Sequence, residues 1–230
     1  MVPLMLVRRR IGSNSSDMAV TKPKNSPGVS RLRADNVMTT KMTPDTASAA
    51  LCVTAPVEER TGLQKEMELW IDPALDTLHI IHRITNRGKS HERLAAWALS
   101  VMAPGGTALI PQEPRIPHPE ALLPARPMAL WSYTDMTDPR WTWGRELIQL
   151  RQDPAAATPQ KIGIQNHRGW MAYANGDRVF VKTNIFIPGA EYPDFGCNAE
   201  FFTNDRMLEL ETLSPLVDLP PGGVLQHEEH

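Results

Sequence analysis

The segment Cys197–Gly223 reads CNAEFFTNDRMLELETLSPLVDLPPGG, and it decides the fold class that the sequence predicts. Two short runs, Ala199–Thr203 and Met207–Thr212, flank the tripeptide Asn204-Asp205-Arg206. Asn and Asp tolerate the positive φ of a tight turn between two strands. The segment therefore predicts a β-hairpin.

Glu209 and Glu211 share one face of the second strand of this hairpin, and Leu208 and Leu210 share the other. The reason is that successive strand side chains alternate between faces. Glutamates side by side on a strand repel one another and have low β-propensity, so local folding does not favour them. Their face is either two exposed carboxylates or part of a functional site, and the sequence leaves both open.

The composition describes a globular chain with little net charge. Its 230 residues include 24 basic and 26 acidic side chains, and 41% are hydrophobic. This is enough for one domain with a sizeable core, and the net charge of −2 gives no electrostatic basis for binding nucleic acid or an anionic membrane. No run approaches the roughly 18 apolar residues of a membrane-spanning helix, and the N-terminus lacks the charge order of a secretory signal. We expect a soluble, cytoplasmic protein.

The cysteines and histidines predict no metal site. Cys52 and Cys197 are the only cysteines and form no Cys-x-x-Cys pair, which argues against a disulfide framework or a thiolate zinc site, although one disulfide stays open. His227-Glu228-Glu229-His230 lacks the spacing of a helical H-E-x-x-H motif and falls in a predicted strand. No cofactor is indicated.

Composition and hydrophobic periodicity divide the chain into a leader over residues 1–50 and a β-domain over residues 51–230. The leader is rich in polar residues and proline, has no sustained periodicity, and is predicted to be disordered or divergent. Within the domain, Leu63–Ile71 and Thr77–Thr85 predict a second hairpin. Ala95–Ala103 is apolar enough for a buried strand; a buried helix is the competing interpretation, but the length of the segment and its Gly/Pro flank favour the strand.

Residues 111–159 contain many of the 21 prolines in the chain. Proline at this density argues against regular ladders, so we expect one long loop, with a short helix over residues 143–151. Tryptophans 131, 141 and 143 lie in this loop. They are either a stacking platform for a ligand or packing residues that hold the loop on the sheet.

The last third of the chain is again predicted to be β-structure. Asn175-Gly176, between Gly169–Ala174 and Arg178–Lys182, is the strongest short hairpin signal in the chain, and Val224–His230 is a final strand candidate. In total, about nine strand candidates and at most one short helix predict an all-β, antiparallel sandwich or barrel.

Five segments between Val53 and Glu229 are similar to segments of one known family. They are Leu63–Met67, His82–Gly88 (HRITNRG), Leu94–Gln112, Arg168–Tyr173 (RGWMAY) and Tyr192–Gly223. In these segments, which follow the same order as in that family, the chain resembles an uncharacterised bacterial family with the galactose-mutarotase-like fold, the antiparallel β-supersandwich of aldose 1-epimerases. The resemblance implies this fold. Residues 1–50 do not match the start of the family, and the family continues past His230, so we expect an incomplete sandwich whose exposed edges favour self-association.

The resemblance also implies a chemistry. Aldose mutarotases use a carboxylate to remove the anomeric proton and a histidine to protonate the ring oxygen. The run Leu210–Pro215 (LETLSP) is similar to the epimerase strand that carries the base, which implies Glu211 as the base with Glu209 beside it. The histidine motif of the epimerases has no counterpart in Leu94–Met102, where Trp97 stands instead. His82 is the nearest substitute for the acid.

Three interpretations remain open. The chain is an epimerase-type enzyme with Glu211 as base, a carbohydrate-binding module, or a truncated relative with no ligand, and the missing histidine favours the second. In a binding module the ligand would be a small sugar or glycan. Its hydroxyls would be bound by Glu209, Arg83 and Arg168, and its ring by tryptophans. The candidate stacking faces are Trp97, Trp131, Trp141, Trp143 and Trp170.

Overall fold

The computed structural model describes residues 4–8, 37–42 and 49–230, with side chains from residue 50 onward. Most of the predicted leader therefore lies outside the described residues, and the division at residue 50 stays a prediction. No helix in the described part of the chain is long and apolar enough to cross a membrane. The described strands, in chain order, are β1 (Leu4–Arg8), β2 (Val37–Met42), β3 (Ala49–Thr54), β4 (Leu63–Asp72), β5 (Thr77–Asn86), β6 (Glu92–Met102), β7 (Thr107–Pro111), β8 (Met128–Leu130), β9 (Trp141–Trp143), β10 (Leu147–Arg151), β11 (Gln160–Ile164), β12 (Trp170–Asn175), β13 (Arg178–Thr183), β14 (Ala199–Thr203), β15 (Leu208–Leu213), β16 (Val217–Leu219) and β17 (Val224–Glu229). A single helical turn, α1 (Pro193–Gly196), precedes β14.

The chain forms two compact units. The first is Leu99–Leu213, and the second joins the described residues up to Ala98 with Ser214–His230. Strand β6 passes from the second unit into the first after Ala98. It is a strand and not a helix, as its length and its Gly/Pro flank predicted.

The first unit is a sandwich of two antiparallel sheets. One sheet has the order β13-β12-β7-β10-β9. In the other, β14 pairs with both β15 and β11, and β11 also pairs with β8. Side chains on the facing sides of both sheets meet in one buried apolar cluster, and β10 shows the alternation of buried and more exposed residues that this packing produces. The cluster is Ala108, Ile110, Trp141, Ile148, Leu150, Ile162, Ile164, Met171, Tyr173, Ala199, Phe201, Leu208 and Leu210.

The hairpin predicted at Cys197–Gly223 is confirmed. Thr203 pairs with Leu208, and the register continues to Ala199 opposite Thr212. The prediction of a positive φ in its turn is wrong, because none of residues 204–206 has a positive φ. Instead the Asn204 side chain closes the turn by accepting hydrogen bonds from the backbone N–H groups of Arg206 (2.8 Å) and Met207 (3.1 Å).

The hairpin around Asn175-Gly176 is also confirmed, with Asn175 paired to Arg178. The prediction for residues 111–159 is wrong in two respects. The segment contains three strands, β8, β9 and β10, because its prolines lie between these stretches and not within them. The helix expected over residues 143–151 is replaced by β10, whose Ile148 and Leu150 face the core while the strand pairs with β7 and β9.

The second unit is also built from antiparallel strands. A five-stranded sheet has the order β17-β5-β4-β3-β2, and its β4–β5 pair is the predicted hairpin. The part of β6 in this unit pairs with β1 and β16. Its core contains Leu63, Ile84, Leu94, Ala96, Ala98, Leu219 and Leu225.

We expect Leu210→Ala to destabilise the protein by about 2 to 5 kcal/mol, because it deletes a side chain that is 0% exposed and leaves a cavity in the first core. The matched control is Leu123→Ala, at a leucine that is 85% exposed, and it should change the free energy of unfolding by less than about 0.5 kcal/mol. Urea denaturation of the two variants measures the difference. Equal midpoints would contradict the assignment of Leu210 to the core.

Candidate functional site

Glu211 is fully buried, and it lies in an ion cluster with Lys161 and Glu200. Its side chain is 0% exposed, and Lys161 Nζ lies 2.7 Å from Glu211 Oε2 and 2.6 Å from Glu200 Oε2. We call these three residues the Lys161 cluster. A carboxylate held in this way is not the exposed strand residue that the sequence left open as an alternative.

The register of three strands in the first unit builds the cluster. Glu200 of β14 lies directly across from Glu211 of β15, and Gly163 of β11 lies across from Glu200. Lys161 stands two residues before Gly163, on the same face of β11. Because Gly163 has no side chain, Lys161 can reach diagonally to both carboxylates.

The negative charges of the two glutamates explain how a lysine can be buried here. Burial alone would lower the pKa of Lys161, but the negative charges of Glu211 and Glu200 and their hydrogen bonds outweigh this effect and raise it. The lysine therefore stays charged. A charge taken out of water is tolerated only when it is paired in this way.

Glu200 behaves differently, because one lysine cannot neutralise every carboxyl group around it. Its pKa is raised well above 4.5, mainly by burial and also by the charges of Glu211 and Asp194, against the opposing effect of Lys161. No donor in the described part of the chain reaches Glu200 Oε1. Glu200 therefore keeps its proton to a higher pH than an exposed glutamate does.

A tryptophan and a tyrosine from the loop after β8 cover the cluster. The Trp131 ring centroid lies 4.7 Å from Lys161 Nζ, in a cation–π contact. Tyr133 is half-buried, and burial raises its pKa to about 12, with Lys161 opposing and the glutamates, including Glu209, adding to the rise. Thr134 holds this loop in place, because its hydroxyl donates a hydrogen bond to the Lys161 carbonyl and accepts one from the backbone N–H of Trp131 (3.1 Å).

Gly163 and Cys197 complete the packing around the cluster. A Cβ atom on Gly163 would lie 2.7 Å from Cys197 Sγ and 3.3 Å from the Trp131 ring, so only glycine fits at this position without movement. Burial and the charges of Glu200 and Asp194 raise the pKa of the Cys197 thiol, which leaves it unreactive. Both cysteines are free and buried.

The site presents hydrogen-bonding groups and an excess of acidic groups. Glu209 lies two residues before Glu211 on β15, opposite Phe202, and is only partly buried. Together with the phenol of Tyr133, it can bond to ligand hydroxyls, while the acidic groups disfavour an anionic ligand. No set of three or more His, Cys, Asp or Glu side chains in the described ranges could hold a metal ion.

The other candidates in the first unit do not contact this cluster through any described hydrogen bond or ring contact. Trp143 is partly exposed, stacks on Trp141 with ring centroids 5.2 Å apart, and donates its indole N–H to the Met136 carbonyl (3.1 Å). Arg168 is exposed, and its backbone N–H donates to the Asn166 side chain. Trp170 is half-buried in β12, where it pairs with Thr183.

His82, Arg83 and Trp97 belong to the second unit. The buried His82 lies 3.2 Å from a carboxylate oxygen of Glu229. Arg83 lies between two glutamates of β4, Glu66 at 2.9 Å and Glu68 at 2.6 Å. Trp97 is buried. Each of these side chains therefore has a structural environment of its own, and the roles predicted for them stay predictions.

Two members of the cluster, Glu200 and Lys161, are not among the site residues predicted from the sequence. Glu200 could have been found from the hairpin alone, since a turn closed at Thr203 and Leu208 places residue 200 opposite residue 211. Lys161 could not, because the pairing of β11 with β14 connects segments far apart in sequence.

Comparison with known structures gives the fold. The chain resembles a galactose mutarotase-like protein from Lactobacillus casei ATCC 334 with a TM-score of 0.51 and 10% identity, over 84% of this chain and 71% of that protein. It resembles a putative aldose 1-epimerase from Escherichia coli K12 with a TM-score of 0.50 and 12% identity, over 84% of this chain and 66% of that one. A TPR-domain containing protein from Parabacteroides distasonis ATCC 8503 gives a TM-score of 0.52 and 11% identity, over 84% of this chain and 33% of that one.

The chain therefore has an all-β, galactose-mutarotase-like fold, as the resemblance in its sequence implied. It spans just under two thirds of the length of the putative epimerase. No protein-family model matches the chain, and no curated protein sequence matches it significantly. At sequence identities of 10–12%, structural similarity establishes the fold of this chain but not its function.

We expect the stability of the wild type to fall relative to Glu200→Gln as the pH rises above about 4.5. The folded state holds a proton on Glu200 that the unfolded chain releases near pH 4.3, so the contribution is complete below that pH. It is lost as the pH rises through the folded pKa. Gln is neutral at every pH and lacks this dependence.

Urea denaturation at intervals between pH 4.5 and 8 measures this difference. Glu228→Gln, at an exposed glutamate of β17, is the matched control and should run parallel to the wild type. A constant offset between wild type and Glu200→Gln across the whole range would contradict the raised pKa of Glu200.

We expect Lys161→Met to cost about 3 to 5 kcal/mol, because it leaves buried carboxylates without their cation. Adding Glu211→Gln to the same chain should recover part of the loss, because it removes the stranded charge. Lys89→Met, at an exposed lysine, should have little effect on the melting temperature. Additive losses in the double variant would contradict a direct interaction between Lys161 and Glu211.

Proposed function

We propose that this protein binds a carbohydrate at the face of the first unit that carries Glu209, Tyr133 and the Lys161 cluster. The observation that carries the proposal is the buried ion cluster itself. Burying a lysine among carboxyl groups is weak evidence for stability, since apolar residues of similar size would serve as well or better. Such clusters with shifted pKa values are more frequent at functional sites.

The half-exposed groups are the ones that would contact a ligand. Glu209 is acceptor-only when ionised, and the raised pKa of Tyr133 keeps its phenol protonated, so the two offer an acceptor and a donor to neighbouring sugar hydroxyls. Glu211 and Lys161 lie behind them and hold the local geometry. Neutral hydroxyl-rich ligands suit this combination, since the positive charge of Lys161 is already paired with Glu211 and Glu200.

Burial of Glu211 favours binding over epimerisation. A catalytic base must come within about 3 Å of the proton that it removes, and Glu211 is 0% exposed and already bound to Lys161. Two proteins of similar structure are described as galactose mutarotase-like and as a putative aldose 1-epimerase, which supports sugar as the ligand class.

The test is an NMR titration of the folded chain with a panel of neutral reducing sugars, following both line broadening and the exchange rate between anomers. We expect broadening for at least one sugar without faster anomer exchange. Glu209→Gln should weaken binding about tenfold or more, because it removes a charged acceptor, and Tyr133→Phe should weaken it severalfold. Glu228→Gln on β17 is the matched control and should bind as the wild type does.

The alternatives give different results. Faster anomer exchange that disappears in Glu211→Gln would replace this proposal with epimerase-type catalysis. Absence of broadening with every sugar, in a chain whose amide spectrum is that of a folded protein, would overturn carbohydrate binding. Equal affinity of wild type and Glu209→Gln would move the site away from this face.

A further inference from the structure

The turn that precedes β14 has an unusual backbone. In α1, three consecutive residues have positive φ: Asp194 at 48°, Phe195 at 62° and Gly196 at 96°. Glycine adopts this region freely and aspartate tolerates it, but a phenylalanine there is strained by its Cβ atom. Strain of this kind persists only where the surroundings hold the backbone in place.

Two features hold this turn. The Cys197 backbone N–H donates to the Pro193 carbonyl at 2.9 Å and closes the turn, and the Asp194 side chain is buried. The turn adjoins the candidate site, because Cys197 packs against Gly163 and the charge of Asp194 acts on Glu200 of the Lys161 cluster.

Phe195 itself lies in solvent. Its side chain is 87% exposed, more than that of any other Phe, Trp or Tyr from Ala50 to His230. An apolar ring in water is unfavourable, and a strained backbone adds to the cost of placing it there. The structure thus keeps an exposed aromatic ring one residue from Asp194, next to the candidate site.

We propose that Phe195 is the aromatic face on which the ring of the bound sugar stacks. A pyranose has apolar C–H faces and a rim of hydroxyls, so it suits an aromatic ring beside hydrogen-bonding groups. The tryptophans fit this role less well. Trp131 contacts Lys161, Trp143 stacks on Trp141, and Trp97 is buried. This inference rests on the proposed carbohydrate-binding function.

The experiment is the same sugar titration with four variants. Phe195→Ala should weaken binding about three- to tenfold, Phe195→Leu should weaken it similarly because leucine is apolar but has no ring, and Phe195→Tyr should retain binding. Phe180→Ala is the matched control, at a phenylalanine of strand β13 that is 42% exposed, and should leave the affinity unchanged. Both positions are on the surface, so the amide spectra of all four variants should be those of folded chains.

A second readout separates stacking from a structural role. Sugar protons above an aromatic ring shift upfield, so the bound C–H protons should show this shift with wild type and Phe195→Tyr and lose it with Phe195→Leu. If the wild type binds a sugar and Phe195→Leu keeps both affinity and upfield shift, the stacking role is overturned while carbohydrate binding stands. If the wild type binds no sugar, both proposals fail.

Discussion

The structure of the first unit depends on one constraint, which is that Lys161 is buried and must remain paired. A lone ammonium group could not be removed from water at this depth, so both Glu200 and Glu211 must approach it from neighbouring strands. That requirement ties β11, β14 and β15 to a single register. A slip of one residue would turn Lys161 away from both carboxylates and into the apolar core. The ion cluster therefore supports register specificity more than it supports stability.

The same arrangement determines the charge behaviour of Glu200. Burial and the charges of Glu211 and Asp194 raise the pKa of Glu200, and the charge of Lys161 opposes this rise only in part. Asp194 belongs to the strained turn α1, so this turn and the ion cluster share one buried electrostatic environment. The exposed Phe195 follows Asp194 directly in that turn.

How far the sequence could predict this arrangement depends on the range of the contacts involved. Local signals were sufficient for the hairpins, since side-chain alternation and turn residues act over a few positions, and they identified Glu211 as unusual. The sequence does not predict strands β8, β9 and β10, because the density of proline was averaged over residues 111–159, although the prolines lie between the strands. Lys161 was missed because strand pairing at long range has no local signature. Residue type alone made candidates of His82, Arg83 and Trp97. The sequence around a histidine or arginine on a strand does not show that a glutamate from another strand will pair with it.

Sugar recognition and sugar epimerisation make different demands on a carboxylate, and the position of Glu211 fits those of recognition better. A base must come within reach of the proton that it removes from the substrate. Glu211 is enclosed and its carboxylate is already bound to Lys161, so it does not offer a substrate that access. A binding site has no such requirement, because it gains from groups whose position does not change as the ligand arrives. The ion pair that keeps Glu211 from acting as a base thus holds together the strands that carry the face on which we propose that the sugar binds.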